Sequence, residues 1–191
     1  MDSKGLVQFL LSRLKGKVVA LVGEVILDEF IRVMLRGHSS EDIRADNVRI
    51  LGRKWLPGGA GTSARVVQSM GGIAEVISAT GRDRPKIFTW TILQQILREH
   101  GISEASIDSR AQLTVSHKMR FVRHRDEVAY EELDYVADEF DDTPISEDIA
   151  KALLGSVEAT KAKVLVVSDY NRGFITPWLA QRISKFTKRA G

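Results

Sequence analysis

The sequence contains no cysteine and no long apolar run. Without cysteine there are no disulfides, thiolate metal sites or cysteine nucleophiles, which suits a reducing compartment such as the cytoplasm. The longest apolar stretches, such as VVALVG, are far shorter than the roughly 20 residues that a membrane-spanning helix needs. We therefore expect a cytoplasmic protein that does not bind a membrane.

The sequence also lacks a strong net charge of either sign. Its 28 Lys and Arg residues stand against 25 Asp and Glu residues, a formal net charge of +3, and its pI is near 9.2. The only support for a nucleic-acid-binding domain is this pI together with scattered arginines. The basic stretches RFVRHR and KFTKRAG are short and separate. We expect no nucleic-acid partner.

No metal site is indicated by the residues that commonly bind metals. His38, His100, His117 and His124 are scattered without a pair at metal-ligand spacing, which favours ordinary surface or strand positions. The acidic run EELDYVADEFDD lacks the glycine and the offsets of a calcium loop. This run is predicted to be a solvated connection.

Apolar runs of strand type alternate with runs of helical periodicity along the chain. Strands are predicted over 17–23, 72–81, 113–122 and 162–170, and helices over 60–70, 85–101, 146–160 and 177–191. This alternation predicts an α/β fold in which helices flank a mainly parallel sheet. Residues 29–56 have mixed apolar and polar order, which predicts a small β excursion within a single domain spanning residues 1–191.

A glycine-rich segment, PGGAGTSA, leads into the first of these helices. Gly58, Gly59 and Gly61 allow a ligand to approach the main-chain amides at a helix start. A tight turn with no ligand is the alternative. The segment is not a Walker A loop, because no Lys-Ser/Thr follows at the required spacing, and it lacks the third glycine of a dinucleotide fingerprint.

Polar residues follow the carboxyl ends of two predicted strands, where open α/β sheets bind ligands. Asp28 comes five residues after Gly23, and an ionised carboxylate can accept hydrogen bonds from two sugar hydroxyls. Asp169, Asn171 and Arg172 follow the run VLVVS, where they could position a phosphate or its metal. The alternatives are a solvated loop acid at Asp28 and a structural salt bridge at Asp169 and Arg172.

Taken together, GEVILD, PGGAGTSA, SHKMRFV and VLVVSDYNRG, in this order and at matching spacing, resemble motifs of the ribokinase/PfkB-type carbohydrate kinases. Within that family they are most similar to the heptose-phosphate kinases, the kinase domain of ADP-heptose biosynthesis proteins. The resemblance extends from about residue 17 to residue 191. It implies an α/β sandwich with a small β lid, formed here by residues 29–56, and transfer of the γ-phosphoryl group of ATP, with Mg²⁺, to a hydroxyl of a sugar or sugar phosphate.

The resemblance also implies roles for particular residues. Asp28 would hold the sugar hydroxyls, and Gly58 and Gly59 would let the sugar lie against the helix start. Lys118 and Arg120 match a basic pair that faces the substrate, including a phosphate already present on it. The phosphate side of the site would comprise Asp169, Asn171 and Arg172, with Arg172 in the place of a lysine in the close relatives.

The sequence departs from the family pattern at several points. Thr62 replaces an asparagine of the substrate site, Glu24 replaces an aspartate, and the lid stretch SSEDIR lacks the family's prolines. The Gly-Ala-Gly-Asp segment with the catalytic aspartate is missing from these 191 residues. We therefore expect the sugar-binding N-terminal portion of a kinase, inactive in isolation, with no catalytic residue of its own.

Two further expectations follow from that incomplete pattern. A non-catalytic sugar-phosphate sensor or regulatory module derived from such a kinase is the alternative function. The strand that ends at Ser168 would form a bare sheet edge, which isolated proteins usually cover. We therefore expect a homodimer across this edge, or pairing with a separate C-terminal chain.

Overall fold

The computed structural model describes residues 8, 12–42, 44, 46–82, 89–110, 113–124, 131–139 and 143–190. The strands are β1 (Val18–Gly23), β2 (Val25–His38), β3 (Asp46–Gly59), β4 (Ile73–Thr80), β5 (Ile107–Ser109), β6 (His117–His124), β7 (Glu131–Glu139) and β8 (Val164–Ser168). The helices are α1 (Ala60–Ser69), α2 (Thr89–Glu99), α3 (Glu147–Ala159) and α4 (Pro177–Ala190). The predicted helix start at Pro85 and the chain end at Gly191 lie outside the described residues.

The first sheet has the strand order β5-β4-β1-β8, and every neighbouring pair in it is parallel. On the central strand, Leu21 is in register with Val76 of β4 and Val166 of β8. β1 is an almost unbroken apolar run because its residues are buried on both faces of the sheet. The predicted mainly parallel α/β fold is confirmed.

Helices cover both faces of this sheet, and β1 contributes side chains to each side. Val19 and Leu21 pack in a core with α1 and α2, whereas Ala20 and Val22 pack in a second core with α3 and α4. The chain runs from β1 outward through β4 to β5 and then returns to the opposite side of β1 as β8. The reversal places a topological switch point between β1 and β8, where such sheets bind ligands at the carboxyl ends of their strands.

The second sheet has the order β3-β2-β6-β7 and contains the predicted excursion. β2 and β3 form a long antiparallel hairpin, and β6 joins β2 in parallel. The prediction of a solvated connection for the acidic run is wrong over Glu131–Glu139, which forms β7 antiparallel to β6. In the β6–β7 register, Lys118 lies opposite position 138 and Arg120 lies opposite Val136.

β8 lies at the edge of the parallel sheet, as predicted. Val164, Val166 and Val167 are 48%, 37% and 43% exposed, although a strand of a parallel sheet is normally covered. In the part of the chain described, no helix is long and apolar enough to cross a membrane.

Candidate functional site

Asp28 lies on β2, and the adjacent strand β6 supplies the cation that binds it. Arg120 Nη1 donates a hydrogen bond to Asp28 Oδ1. The Asp28 side chain is 15% exposed and that of Arg120 is 23% exposed, so the pair remains open to solvent. The Arg120 guanidinium also lies 5.1 Å from the centroid of the Phe30 ring. Packing on an aromatic face restricts where the guanidinium can lie, and so orients it toward the carboxylate.

Lys118 supplies a second cationic position beside Asp28. It is the cross-strand partner of Asp28 in the β2–β6 pair, and Arg120 is the partner of Phe30. Side chains alternate along a strand, so Lys118 and Arg120 share a face, and register places Asp28 and Phe30 on that face too. The structure thus brings together three of the predicted site residues.

Gly58 and Gly59 make room for atoms of the protein itself. A Cβ on Gly58 would lie 2.5 Å from Asp28 Oδ2, and one on Gly59 would lie 2.2 Å from the carbonyl oxygen of Glu24. Gly59 also has φ +61°, a backbone conformation that other residues rarely adopt. Gly58 therefore lets the Asp28 carboxylate lie just before the start of α1, and Gly59 makes room for the main chain at Glu24.

Thr62 stands in the first turn of α1, and its hydroxyl is already bonded within the chain. Thr62 Oγ1 donates a hydrogen bond of 3.1 Å to the carbonyl oxygen of Pro57. Helix α1 begins without a side-chain cap, and the first amides of a helix have no intrahelical acceptor. The Ala60 amide donates to the carbonyl oxygen of Glu24 at 2.8 Å, so a ligand at this helix start would be bound by the amides that follow it.

The three residues predicted for the phosphate side follow β8 at the switch point. Asp169 Oδ1 accepts a hydrogen bond of 2.8 Å from the amide of Asn171, which has φ 57°. Asp169 and Asn171 are exposed, whereas Arg172 is half-buried. The strand ends of β1 and β8 meet here, because Gly23 is in register with Ser168.

Arg172 lines a cavity of about 210 Å³ whose walls include Glu24, Thr80, Ser116 and Phe174. Ser116 Oγ donates a hydrogen bond to Glu24 Oε1. Thr80 is only 3% exposed, and its hydroxyl has no hydrogen-bond partner among the residues that the structure describes. Asp28 is not among the residues that line this cavity. The nine predicted site residues thus form two groups, one around Asp28 and one after β8.

A buried charged cluster, not predicted from the sequence, lies on the face of the second sheet opposite to Asp28. Glu29 is 2% exposed; its Oε1 accepts a hydrogen bond of 2.6 Å from Arg53 Nη1, and its Oε2 lies 2.9 Å from His117 Nε2. The prediction of an ordinary strand position for His117 holds, but its ring is buried rather than at the surface. Two consecutive acidic residues in a strand were the available signal, because alternation places one of them on the inner face.

Over the described ranges, no group of three His, Cys, Asp or Glu residues is placed to hold a metal ion. Asp169, the carboxylate on the predicted phosphate side, bonds to the amide of Asn171. Mg²⁺ is usually bound by one or two carboxylates together with substrate phosphates. Asp169 by itself does not provide such a site.

No family model matches the chain. Solved structures share its fold. Phosphofructokinase-2 from Escherichia coli in complex with fructose-6-phosphate matches with a TM-score of 0.60 at 16% identity, over 92% of this chain and 52% of that one. Arabidopsis thaliana ribokinase complexed with ribose and ATP matches with a TM-score of 0.56 at 12% identity, over 92% and 51%. The fold is therefore ribokinase-like.

Proteins similar in sequence indicate which branch of the ribokinase-like proteins this chain resembles. The bifunctional protein HldE of Gluconacetobacter diazotrophicus is 30% identical over 158 residues, which make up 81% of this chain and 30% of that protein. HldE of Hyphomonas neptunium is 29% identical over 178 residues, or 92% and 34%. The chain thus spans about a third of the length of the curated relatives it matches. The resemblance to the ribokinase/PfkB-type carbohydrate kinases, in their heptose-phosphate kinase branch, is confirmed.

Proposed function

We propose that this chain binds a phosphorylated sugar and serves as the sugar-binding portion of a heptose-phosphate-kinase-like enzyme. The observation that carries the proposal is the position of the Asp28 carboxylate. It lies against Gly58 and bonds to Arg120, and Lys118 is directly opposite Asp28 on β6. A carboxylate beside two cations can accept hydrogen bonds from sugar hydroxyls while the cations bind a phosphate. The start of α1 adds main-chain donors on the same side.

The proposed reaction is transfer of the γ-phosphoryl group of ATP to a hydroxyl of the bound sugar phosphate. ATP would supply the phosphoryl group, and Mg²⁺ would arrive with it. Arg172 is the residue we assign to the phosphates, because a half-buried guanidinium at the switch point can form paired hydrogen bonds to phosphate oxygens. Asp169 and Asn171 shape the turn that leads to it.

Catalysis by the isolated chain is not part of the proposal. Phosphoryl transfer depends on precise positioning and charge stabilisation around the reacting groups, and the Gly-Ala-Gly-Asp segment of the family is not found in these 191 residues. We propose that catalysis needs this segment from elsewhere, and that the chain alone binds its sugar without turnover.

Binding is tested by calorimetry with a panel of hexose and heptose phosphates, each alongside the same sugar without its phosphate. Asp28→Asn should weaken the best ligand by about tenfold or more, because a hydrogen bond to a charged group contributes roughly 1.5–3 kcal/mol. Asp42→Asn is the matched control, since Asp42 pairs with Arg44 on the surface. Unchanged affinity in Asp28→Asn, or no binding across the panel, would refute the assignment.

The second candidate is a non-catalytic sugar-phosphate sensor or regulatory module, which the retained Asp28 site also fits. Phosphoryl transfer with Mg²⁺ and ATP separates the two proposals. Turnover by the purified 191-residue chain would eliminate the sensor and would also contradict the expected inactivity. A complementing C-terminal chain that restores turnover would favour the kinase.

A further inference from the structure

Two consecutive carboxylates of β2 contact β6 from opposite faces of the second sheet. Asp28 accepts a hydrogen bond from Arg120 on one face, and Glu29 lies 2.9 Å from His117 on the other. Both cationic or potentially cationic partners belong to the same strand, three residues apart. β6 is therefore attached to β2 by side chains on both faces, in addition to the main-chain ladder.

The two attachments differ in how accessible they are. The Glu29 side chain is 3% exposed, whereas that of Asp28 is 15% exposed and that of Arg120 is 23% exposed. A ligand can therefore reach the Asp28–Arg120 pair and replace it with its own hydroxyls and phosphate. A buried carboxylate is costly to separate from its partners, so Glu29 keeps its contacts while this exchange takes place.

Glu29 also connects β6 to β3, the strand on the other side of β2. Its second oxygen accepts a hydrogen bond of 2.6 Å from Arg53 of β3, so one carboxylate on the central strand joins both neighbouring strands. The residue before β6 is held as well: the Ser116 hydroxyl donates to Glu24, and the Ser116 carbonyl accepts from the amide of Leu27 at 2.8 Å. The amino end of β6 is thus held next to β2 by contacts that do not involve Arg120.

We propose that Glu29, through His117 and Arg53, is a positioning residue that keeps β6 in place when the ligand separates Arg120 from Asp28. Lys118 and Arg120 then stay aligned to bind the phosphate of the sugar. This inference rests on the proposed function, because it assumes that the ligand exchanges with the Asp28–Arg120 pair. It adds that recognition of the phosphate depends on a buried carboxylate that the ligand never touches.

The test compares the affinity for the best sugar phosphate of the panel with the affinity for the same sugar without its phosphate. Glu29→Gln should weaken the phosphorylated ligand by about tenfold and the plain sugar by much less, because the two cations lose alignment. The preference for the phosphorylated ligand should therefore collapse. A purely structural role that lowers the folded fraction would weaken both ligands equally, and that outcome would overturn the proposal.

Hydrogen exchange of the ligand-free protein gives a second readout that does not depend on the ligand. The amides of β6 should exchange faster in Glu29→Gln than in the wild type. The matched control is Glu104→Gln, because Glu104 also uses both oxygens, accepting from Arg98 at 2.7 Å and from Gln94 at 2.6 Å. Exchange on β6 that is unchanged in Glu29→Gln, or equally raised in the control, counts against the proposal.

A conservative variant covers the case in which Glu29→Gln does not fold. His117→Gln leaves the Glu29–Arg53 pair in place and should give the same loss of phosphate preference to a smaller extent. A wild-type preference retained in His117→Gln would overturn the inference. The proposed function itself fails on a separate result, which is unchanged affinity in Asp28→Asn.

Discussion

Gly58 shows, at the residue scale, how a missing side chain makes room for the carboxylate of the proposed sugar site. A Cβ there would lie 2.7 Å from Asp28 Cγ, so Gly58→Ala must displace the carboxylate. We expect about tenfold weaker sugar-phosphate binding, together with a loss of about 1–3 kcal/mol in the free energy of unfolding from overpacking. Calorimetry and urea unfolding measure the two effects.

The control for this substitution lies on the same strand. Gly52→Ala adds a Cβ that has no atom within 4 Å, so binding and stability should stay close to those of the wild type. Equal binding by Gly58→Ala and Gly52→Ala would show that the contact between Gly58 and Asp28 does not control the site.

At the element scale, the start of α3 depends on one side chain. Ser146 Oγ accepts a hydrogen bond of 3.4 Å from the amide of Ile149 at the helix start. Because this bond is long, Ser146→Ala should lower the free energy of unfolding by about 0.5–1 kcal/mol, the lower part of the range for a lost helix cap. Urea unfolding of the purified chain measures it.

Ser156→Ala serves as the control within α3, since Ser156 is half-buried and its hydroxyl donates to the carbonyl oxygen of Ala152, one turn earlier, rather than capping the helix. It should be neutral or slightly stabilising, because alanine has the higher helix propensity. If both variants lost the same stability, the cap would not be the reason.

At the scale of the whole molecule, the open edge of the parallel sheet is the feature with the largest consequence. Val164, Val166 and Val167 of β8 are exposed, and among the described residues β8 has a neighbouring strand on one side only. Such an edge pairs readily with another strand. We expect the purified chain to self-associate as its concentration rises, and Val166→Lys to suppress this, in sedimentation velocity experiments.

Val48→Lys provides the comparison, because Val48 is 38% exposed on the second sheet, away from β8. Its self-association should match the wild type. A wild-type chain that stays monomeric at high concentration would contradict the expectation of an edge-mediated dimer, and pairing with a separate C-terminal chain would then be the remaining proposal.

The local patterns of the sequence were sufficient for β1, β4 and β8 of the parallel sheet and for the four helices, but not for the short strand β5. Apolar runs such as VVALVG can be recognised as strands because both faces of a parallel sheet are buried, and the helices repeat their apolar positions with helical periodicity. The placement of Gly58 and Gly59 just before a helix start followed from the same patterns, whereas Asp28, predicted to follow the end of the first strand, lies within β2.

What only the tertiary structure decided is how distant segments meet. β7 was not predicted as a strand from its acidic composition, yet its main chain pairs antiparallel with β6. Arg120 reaches Asp28, and His117 reaches Glu29, only because β6 lies parallel to β2, some ninety residues away along the chain. Sequence by itself determined most of the strands and helices, though not β5 or β7, and the residue types that stand at their ends. Strand order and register determined which charges became partners, because those contacts depend on long-range pairing that no local pattern encodes.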